Sequence, residues 1–178
     1  ALPSVNKQAV ENVLRVGAAL GGDLADFTEF DRKNYFYPDM PKAYQISQYK
    51  YPLVSNGSLQ NVALTRIHME EDTATSGHKG GHALIDYNRC GVPLMELVTE
   101  PGIYDADTAM NFARELQLLL RTLGVGEANL EKGEMRIEAN VSVTTDPERR
   151  PENYNQVAEI KNLNSFKIVG AAIDYEIK

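Results

Sequence analysis

Apolar residues recur at helical spacing in two stretches of the chain. Ala9, Val10, Val13, Leu14, Gly17 and Leu20 form one stripe, with Asn6 placed to cap it and Gly21-Gly22 to end it. Ala109, Phe112, Ala113, Leu116, Leu119, Leu120 and Leu123 form the second, predicting a helix over 107–123 with Asp105 or Asp107 as cap and Gly124 as stop. A third helix opens at Ser165 and is still running where the chain stops at Lys178. Between these, strands are predicted at 62–71, 83–87, 93–100 (closed by Pro101-Gly102), 135–144 and 156–163. Ser55-Asn56-Gly57 reads as a turn, 77–81 as a flexible loop, and the polar link 146–155 with its two prolines as a solvent loop. There is no internal repeat, and the fold class is α+β.

One segment fits neither period. Residues 31–51 hold five of the nine tyrosines (Tyr35, Tyr37, Tyr44, Tyr49, Tyr51) and Phe36, with almost no aliphatic residues. Arg32, Lys33, Asn34, Asp39, Lys42, Gln45 and Gln48 stand between the rings, and Pro38 and Pro41 bar a continuous helix or central strand. Any one tyrosine here can be ordinary packing over the core. The segment as a whole reads as a stiff wall, apolar on its flank and hydrogen-bonding at its edge, that lines a binding site.

Composition narrows the function classes. A chain of 178 residues with 43% apolar content buries one good core, or one core and a small lobe. No apolar run approaches the roughly 18 residues of a membrane span, and no signal peptide is visible. The lone Cys90 excludes an internal disulfide framework and fits a reducing compartment. A net charge of −7 argues against autonomous, sequence-independent nucleic-acid binding, which needs Lys and Arg against phosphates. The chain begins at Ala1 without Met and reads as an excerpt of a longer protein.

Strand parity exposes candidate chemistry. In 135–144, Met135, Ile137, Ala139, Val141 and Val143 point one way and Arg136, Glu138, Asn140, Ser142 and Thr144 the other. The polar side is either merely solvated or a surface for an anion and a metal, and a guanidinium, carboxylate, amide and hydroxyl in a row suit the latter. In TRIHMEED, Arg66, His68 and Glu70 share a face. The adjacent Glu70, Glu71 and Asp72 repel one another, so they are either a solvated strand end or a cation site, for which oxygen ligands suit magnesium. His68 reads as a structural histidine. His78 and His82 stand four apart, but Gly80-Gly81 between them argues against a zinc pair. In EIKNLNSF, Glu159 and Lys161 share a face, while Asn162, Asn164 and Ser165 lead into a helix whose free N–H groups serve a phosphate or are capped by Asn164.

The motifs FDRKNYFYPDMPKAYQISQY, TRIHMEED, LIDYNRCGVPLMELVTEP, MRIEANVSV and EIKNLNSF, in this order, resemble the B-type subunit of the tRNA-dependent amidotransferases, the GatB family, over essentially the whole chain. The resemblance implies a single cradle domain over 1–178, truncated at both ends, of mostly antiparallel sheet with helices packed on one side. It implies ATP and Mg2+ as cofactors and aminoacyl-tRNA as substrate, with Glu (or Asp) mischarged on tRNA phosphorylated at its side chain and then amidated. The ammonia would come from glutamine hydrolysed by a partner A-type amidase subunit, in an assembly with a small C-type subunit, without a membrane. The compartment implied is the bacterial cytoplasm, or a mitochondrion or plastid in a eukaryote.

By similarity Glu71 and Glu138 match positions associated with the metal, with Glu70 as neighbour. Arg66, Arg89, Arg136 and Lys161 are candidates for phosphate or carboxylate contact, and Asn140 and Asn162 accompany them. Tyr35, Tyr37, Gln45 and Ser47 lie in the segment expected to line the substrate cavity. The chain departs from the family in carrying Glu138 where many members have Asp. It also lacks the family's N-terminal Glu-x-His element and the helical and tail domains that grip tRNA, so the fragment alone is expected to be inactive. Two further readings stay open: the archaeal glutamate-specific paralogue, and a non-catalytic tRNA-binding scaffold.

Overall fold

The computed structural model describes residues 4–178. The chain divides into two compact units, the first running to Glu100 and the second spanning Pro101–Lys178. Both combine helices with antiparallel strand pairs, so the fold is α+β. No described helix is long and apolar enough to cross a membrane.

The first unit opens with α1 (Lys7–Ala19), capped as expected by the Asn6 side chain, which accepts from the Ala9 N–H at 3.2 Å. Its strands are β1 (Asp23–Leu24), β2 (Asp31–Asn34), β3 (Tyr44–Ser47), β4 (Val54–Ser55), β5 (Ser58–Leu59), β6 (Val62–Glu71), β7 (Thr75–Lys79), β8 (His82–Asp86) and β9 (Pro93–Thr99). β6 is the organiser. β4 and β5 pair with it along one edge, β9 pairs along the other, and β1 extends the sheet beyond β4. Val13 and Val16 of α1 and its C-cap Leu20 are buried together with Val54, Val62, Leu64 and Ile67 of the sheet. Gly17 allows the approach, since a Cβ there would stand 2.4 Å from a Val54 methyl. A bulge between Leu64 and Arg66 shifts the parity of β6. Val62 and Leu64, and beyond the bulge Ile67 and Met69, are therefore all buried.

Three expectations for this unit change. The aromatic segment is a two-stranded hairpin, β2 against β3, and a turn carries Pro38 and Pro41. Its inward positions are polar (Gln45, Ser47), so a search for apolar alternation passes over it. Asn56-Gly57 is not the chain reversal. Both residues have positive φ, but β4 and β5 keep one register against β6, and the reversal falls at Gln60-Asn61, φ 50° and 63°, as a two-residue turn. The kink at Gly57 leaves room for the end of α1, because a Cβ there would meet the Leu20 carbonyl at 3.0 Å. Finally, 77–81 is not a loop: β7 and β8 form a hairpin around Gly80-Gly81. His78 faces Ala83 and His82 faces Lys79 across it, so the two histidines lie on opposite faces.

The second unit contains α2 (Ala106–Thr122), β10 (Ile137–Val141), β11 (Ala158–Leu163) and α3 (Phe166–Glu176). Asp105 caps α2, accepting from the Thr108 N–H at 2.7 Å. β10 and β11 pair antiparallel, and Ile137, Ala139, Val141 and Ile160 pack on a core of Ala106, Ala109, Leu163, Val169 and Ile173. β10 is shorter than its pattern predicts. The alternation fails after Val141, where Ser142 is half-buried and Val143 exposed. Ser165 rather than Asn164 caps α3, accepting from the Ile168 N–H at 3.2 Å.

Candidate functional site

The longest strand of the first unit carries its chemistry on one face. Arg66, His68 and Glu70 lie together there, as parity predicts, and the register of β9 sets Glu96 directly across from His68. His68 is only 2% exposed. Its Nε2 stands 3.4 Å from Glu70 Oε1 and 3.7 Å from Glu96 Oε2, while its Nδ1 is buried without a hydrogen-bond partner.

The β2–β3 hairpin completes this cluster. Ser47 Oγ donates to Glu70 Oε1 at 2.6 Å, and Gln45 Nε2 donates to Glu70 Oε2 at 3.0 Å. Burial alone pushes the Glu70 carboxyl up, but hydrogen bonds from His68 and Ser47 and the nearby Lys33 ammonium overcome it and hold the group at about 2. Glu96 moves the other way: burial, then the charge of Glu70, pushes its carboxyl up. Two carboxylates this close share their environment unequally, with Glu70 the stronger acid and Glu96 the weaker. The ligand atoms of His68, Glu70 and Glu96 lie within 4.8 Å of one another.

These groups line an open cavity of about 350 Å³, and cations line it as well. Arg32, Lys33 and Arg66 share it with Asp31, Glu70 and Glu96, and Tyr49 forms part of its wall. The Arg66 guanidinium is 5.6 Å from the Tyr49 ring centre, and its Nε is buried without a hydrogen-bond partner. A cavity lined by both charge signs accommodates an anion together with a cation.

Glu71 turns away from this cluster. Its carboxylate is ion-paired with Lys42 and accepts from the Ile46 N–H at 2.8 Å. Arg89 Nε stands 3.3 Å from Asp72 Oδ2, and the guanidinium also donates to the Thr73 and Ala74 carbonyls at 3.1 and 3.3 Å. Arg89 thus fixes the chain after β6. The Tyr35 hydroxyl approaches Asp39 at 3.4 Å, and burial together with that carboxylate pushes it up to about 12. Tyr37 is exposed.

The remaining expected residues lie in the second unit. Glu138 and Asn140 are exposed on β10, and Arg136 immediately precedes that strand. Lys161 Nζ is 3.1 Å from Glu159 and 3.8 Å from Glu138, with all three side chains about half exposed. The Glu159 hydrogen bond and the Glu138 charge hold the Lys161 ammonium above its ordinary range. Asn162 takes a left-handed conformation, φ 61°, between Lys161 and the buried Leu163.

Of the expected residues, then, Arg66, Glu70, Gln45 and Ser47 gather in one cluster, Glu71 and Arg89 hold neighbouring structure, and Arg136, Glu138, Asn140, Lys161 and Asn162 belong to the other unit. His68 as a cluster member, Glu96 and Lys42 escaped the sequence reading. Glu96 carried a signal, a lone carboxylate in the apolar run 93–99, but its partner depends on the strand register, which a single sequence does not reveal.

The family described as the GatB/GatE catalytic domain matches residues 1–178. Among curated relatives, the B subunit of the aspartyl/glutamyl-tRNA(Asn/Gln) amidotransferase of Thermus thermophilus is 48% identical over 182 residues, covering 100% of this chain and 38% of the relative. The protein of the same name from Campylobacter curvus is 43% identical over 186 residues, with 100% and 39% covered. That from Helicobacter pylori is 41% identical over 186 residues, with 100% and 38% covered. The chain thus spans less than two fifths of the length of these relatives.

Proposed function

The chain belongs to the GatB/GatE catalytic domain family, and from that premise we propose that it serves the activation step of a tRNA-dependent amidotransferase. In this reading ATP phosphorylates the side-chain carboxylate of Glu or Asp mischarged on tRNA. Ammonia from a partner amidase then displaces the phosphate, leaving the amide. The observation that carries the proposal is the cavity of the first unit, where an ionised, hydrogen-bonded Glu70 lies among Arg32, Lys33 and Arg66.

The chemistry asks for that mixture. A carboxylate at neutral pH is a poor electrophile, and joining it to a phosphoryl group brings two anions together. The cations of the cavity orient and neutralise those anions, with Arg66 supplying an unfilled Nε donor. His68 and Ser47 keep Glu70 deprotonated, and Gln45 helps to fix it. Lys161, Arg136, Asn140 and Asn162 are the corresponding anion contacts proposed for the second unit, and Tyr35 and Tyr37 belong to the substrate-lining segment.

The donor set also fits a divalent cation. Glu70, Glu96 and His68 bring two carboxylates and an imidazole within 4.8 Å, with His68 Nε2 facing both carboxylates. Magnesium held there would neutralise charge on the phosphoryl group. The family resemblance also proposes Glu71, beside this cluster on the first unit, and separately Glu138 on the second unit as positions associated with the metal. The whole assembly would include the A-type amidase and the small C-type partner, with aminoacyl-tRNA as substrate, in the bacterial cytoplasm or an organelle.

The test uses the full-length protein with its amidase partner and Glu-tRNA or Asp-tRNA. ATP consumption should require the mischarged tRNA, and Glu70→Gln should abolish it while glutamine hydrolysis by the partner persists. Amidation that proceeds without ATP would sink the proposal.

A further inference from the structure

Among the described residues, no strand is paired with the backbone of β6 next to the acidic cluster on one edge. β4 pairs with β6 at Arg66 and Ile67, and β9 covers the other edge along 64–71. Beyond Ile67 the β4 edge is taken over by two side chains of the YQISQ run. Gln48 Oε1 accepts from the Met69 N–H at 3.0 Å, and Gln45 Nε2 donates to the Glu71 carbonyl at 2.8 Å. The two amides act as one missing strand, supplying an acceptor and then a donor to alternate residues of the edge.

Gln48 reaches further than Gln45. It is only 1% exposed, and its Nε2 donates both to Thr28 Oγ1 and, at 3.4 Å, to the Glu29 carbonyl. Thr28 passes the connection on, donating to the Tyr51 carbonyl at 2.6 Å. On the next residue, the Tyr49 N–H donates to Asp31 Oδ2 at 2.9 Å. Glu29 and Asp31 lead directly into Arg32 and Lys33, cations of the cavity, while Met69 stands between His68 and Glu70, its acidic side. One buried amide therefore joins the backbone of both sides.

We propose that Gln48, in the wall of the cavity, is a positioning residue that fixes the acidic cluster of β6 relative to the cationic strand β2. A buried amide with its donor and acceptor both used has one geometry, and so do the segments it joins. Replacing it with an apolar side chain of similar length would leave the Met69 N–H and the Glu29 carbonyl unsatisfied. Gln48→Glu separates the halves of the brace: a carboxylate still accepts from Met69 but repels the Glu29 carbonyl.

The inference rests on the amidotransferase reading for its catalytic consequence, but not for the brace. Two measurements on the full-length protein keep these apart. In amide hydrogen exchange, Gln48→Met should strip protection from Met69 while amides shared by β6 and β9 keep theirs, and Gln48→Glu should leave Met69 protected. In the complete assembly, below the unfolding range of every variant, Gln48→Met should lower kcat for ATP-dependent amidation by about 100-fold, because small misplacements of reacting groups carry penalties of that order. The KM for ATP should move far less, glutamine hydrolysis should be unchanged, and Gln48→Glu should recover part of the loss. A wild-type assembly without ATP-dependent amidation would remove the functional reading and leave the brace standing. An active wild type with equal kcat in Gln48→Met would overturn the positioning role, as would unchanged Met69 exchange.

Discussion

The polar faces of β6 and of the β10–β11 pair use the same kinds of side chain under opposite conditions. On β6, Glu70 is buried, accepts hydrogen bonds from Ser47 and Gln45 and lies against a nearly inaccessible histidine. On β10–β11, Lys161 pairs with Glu138 and Glu159, and all three side chains are about half in water. A carboxylate out of water must have its partners fixed before any ligand arrives, because leaving it unpaired costs several kcal/mol. Half-exposed partners contribute little to stability and are free to rearrange around a ligand. The first face is fixed in advance, and the second is free to adjust.

The largest expected stability effect lies on the buried face. Glu70→Ala removes the partner of Ser47, Gln45 and His68 together and should destabilise by about 3 kcal/mol, read from the urea midpoint of the full-length protein. A loss as small as at an exposed site would erase the contrast. The glycines of the two units sharpen it at the next size down. A Cβ on Gly17 would stand 2.4 Å from a methyl of Val54, a stiff branched neighbour, so Gly17→Ala should destabilise by about 1–2 kcal/mol despite the gain in helix propensity. A Cβ on Gly170 would meet the Met110 sulfur at 2.8 Å. That flexible side chain can move, so Gly170→Ala should fall within about 0.5 kcal/mol of neutral.

Acid titration with a chelator present tests the unequal carboxylates. Glu70 is held at about 2 against an ordinary 4.5, so its stabilisation is complete above pH 4.5 and disappears as the pH falls towards 2. Glu96 is raised above 4.5, so the folded state binds its proton more tightly and loses stability as the pH rises through its raised value. Glu96→Gln should abolish that second decline and keep the acid limb; an unchanged profile would mean the pair does not titrate unequally. The smallest stability effect belongs to the exposed face. Glu138→Gln should shift stability by less than about 0.5 kcal/mol, yet sharply reduce amidation in the complete assembly. Glu138→Asp should retain much of the activity. Full amidation by Glu138→Gln at limiting magnesium would mark that face as merely solvated.

Where local pattern and tertiary packing agree, the chain was legible before its structure. β6 has the bounds its residues predict, α2 lies within a residue of its expected limits, and Asn6 and Asp105 cap as their side chains suggest. The parity of Arg66, His68 and Glu70 was equally readable. Legibility failed where inward positions are polar. Gln45 and Ser47 alternate inward as valines would, but only the presence of Glu70 explains them. β7 failed for a different reason: every residue of that strand is exposed, so no face leaves a mark in the sequence, whereas β8 lies within a residue of its expected bounds. The meeting of His68 and Glu96 depends on register between strands that are well separated in the chain, and periodicity is silent on that.

The glutamine-lined edge has a consequence for how the molecule behaves in a crowd. β6 is the longest strand at ten residues, and a bare edge on such a strand is a template on which another chain can assemble. At Met69 and Glu71 the template is already filled by the amides of Gln48 and Gln45. An incoming strand would have to evict two buried side chains and leave Glu70 short of a donor before forming its first bond. The residues that shape the cavity thereby also discourage self-association.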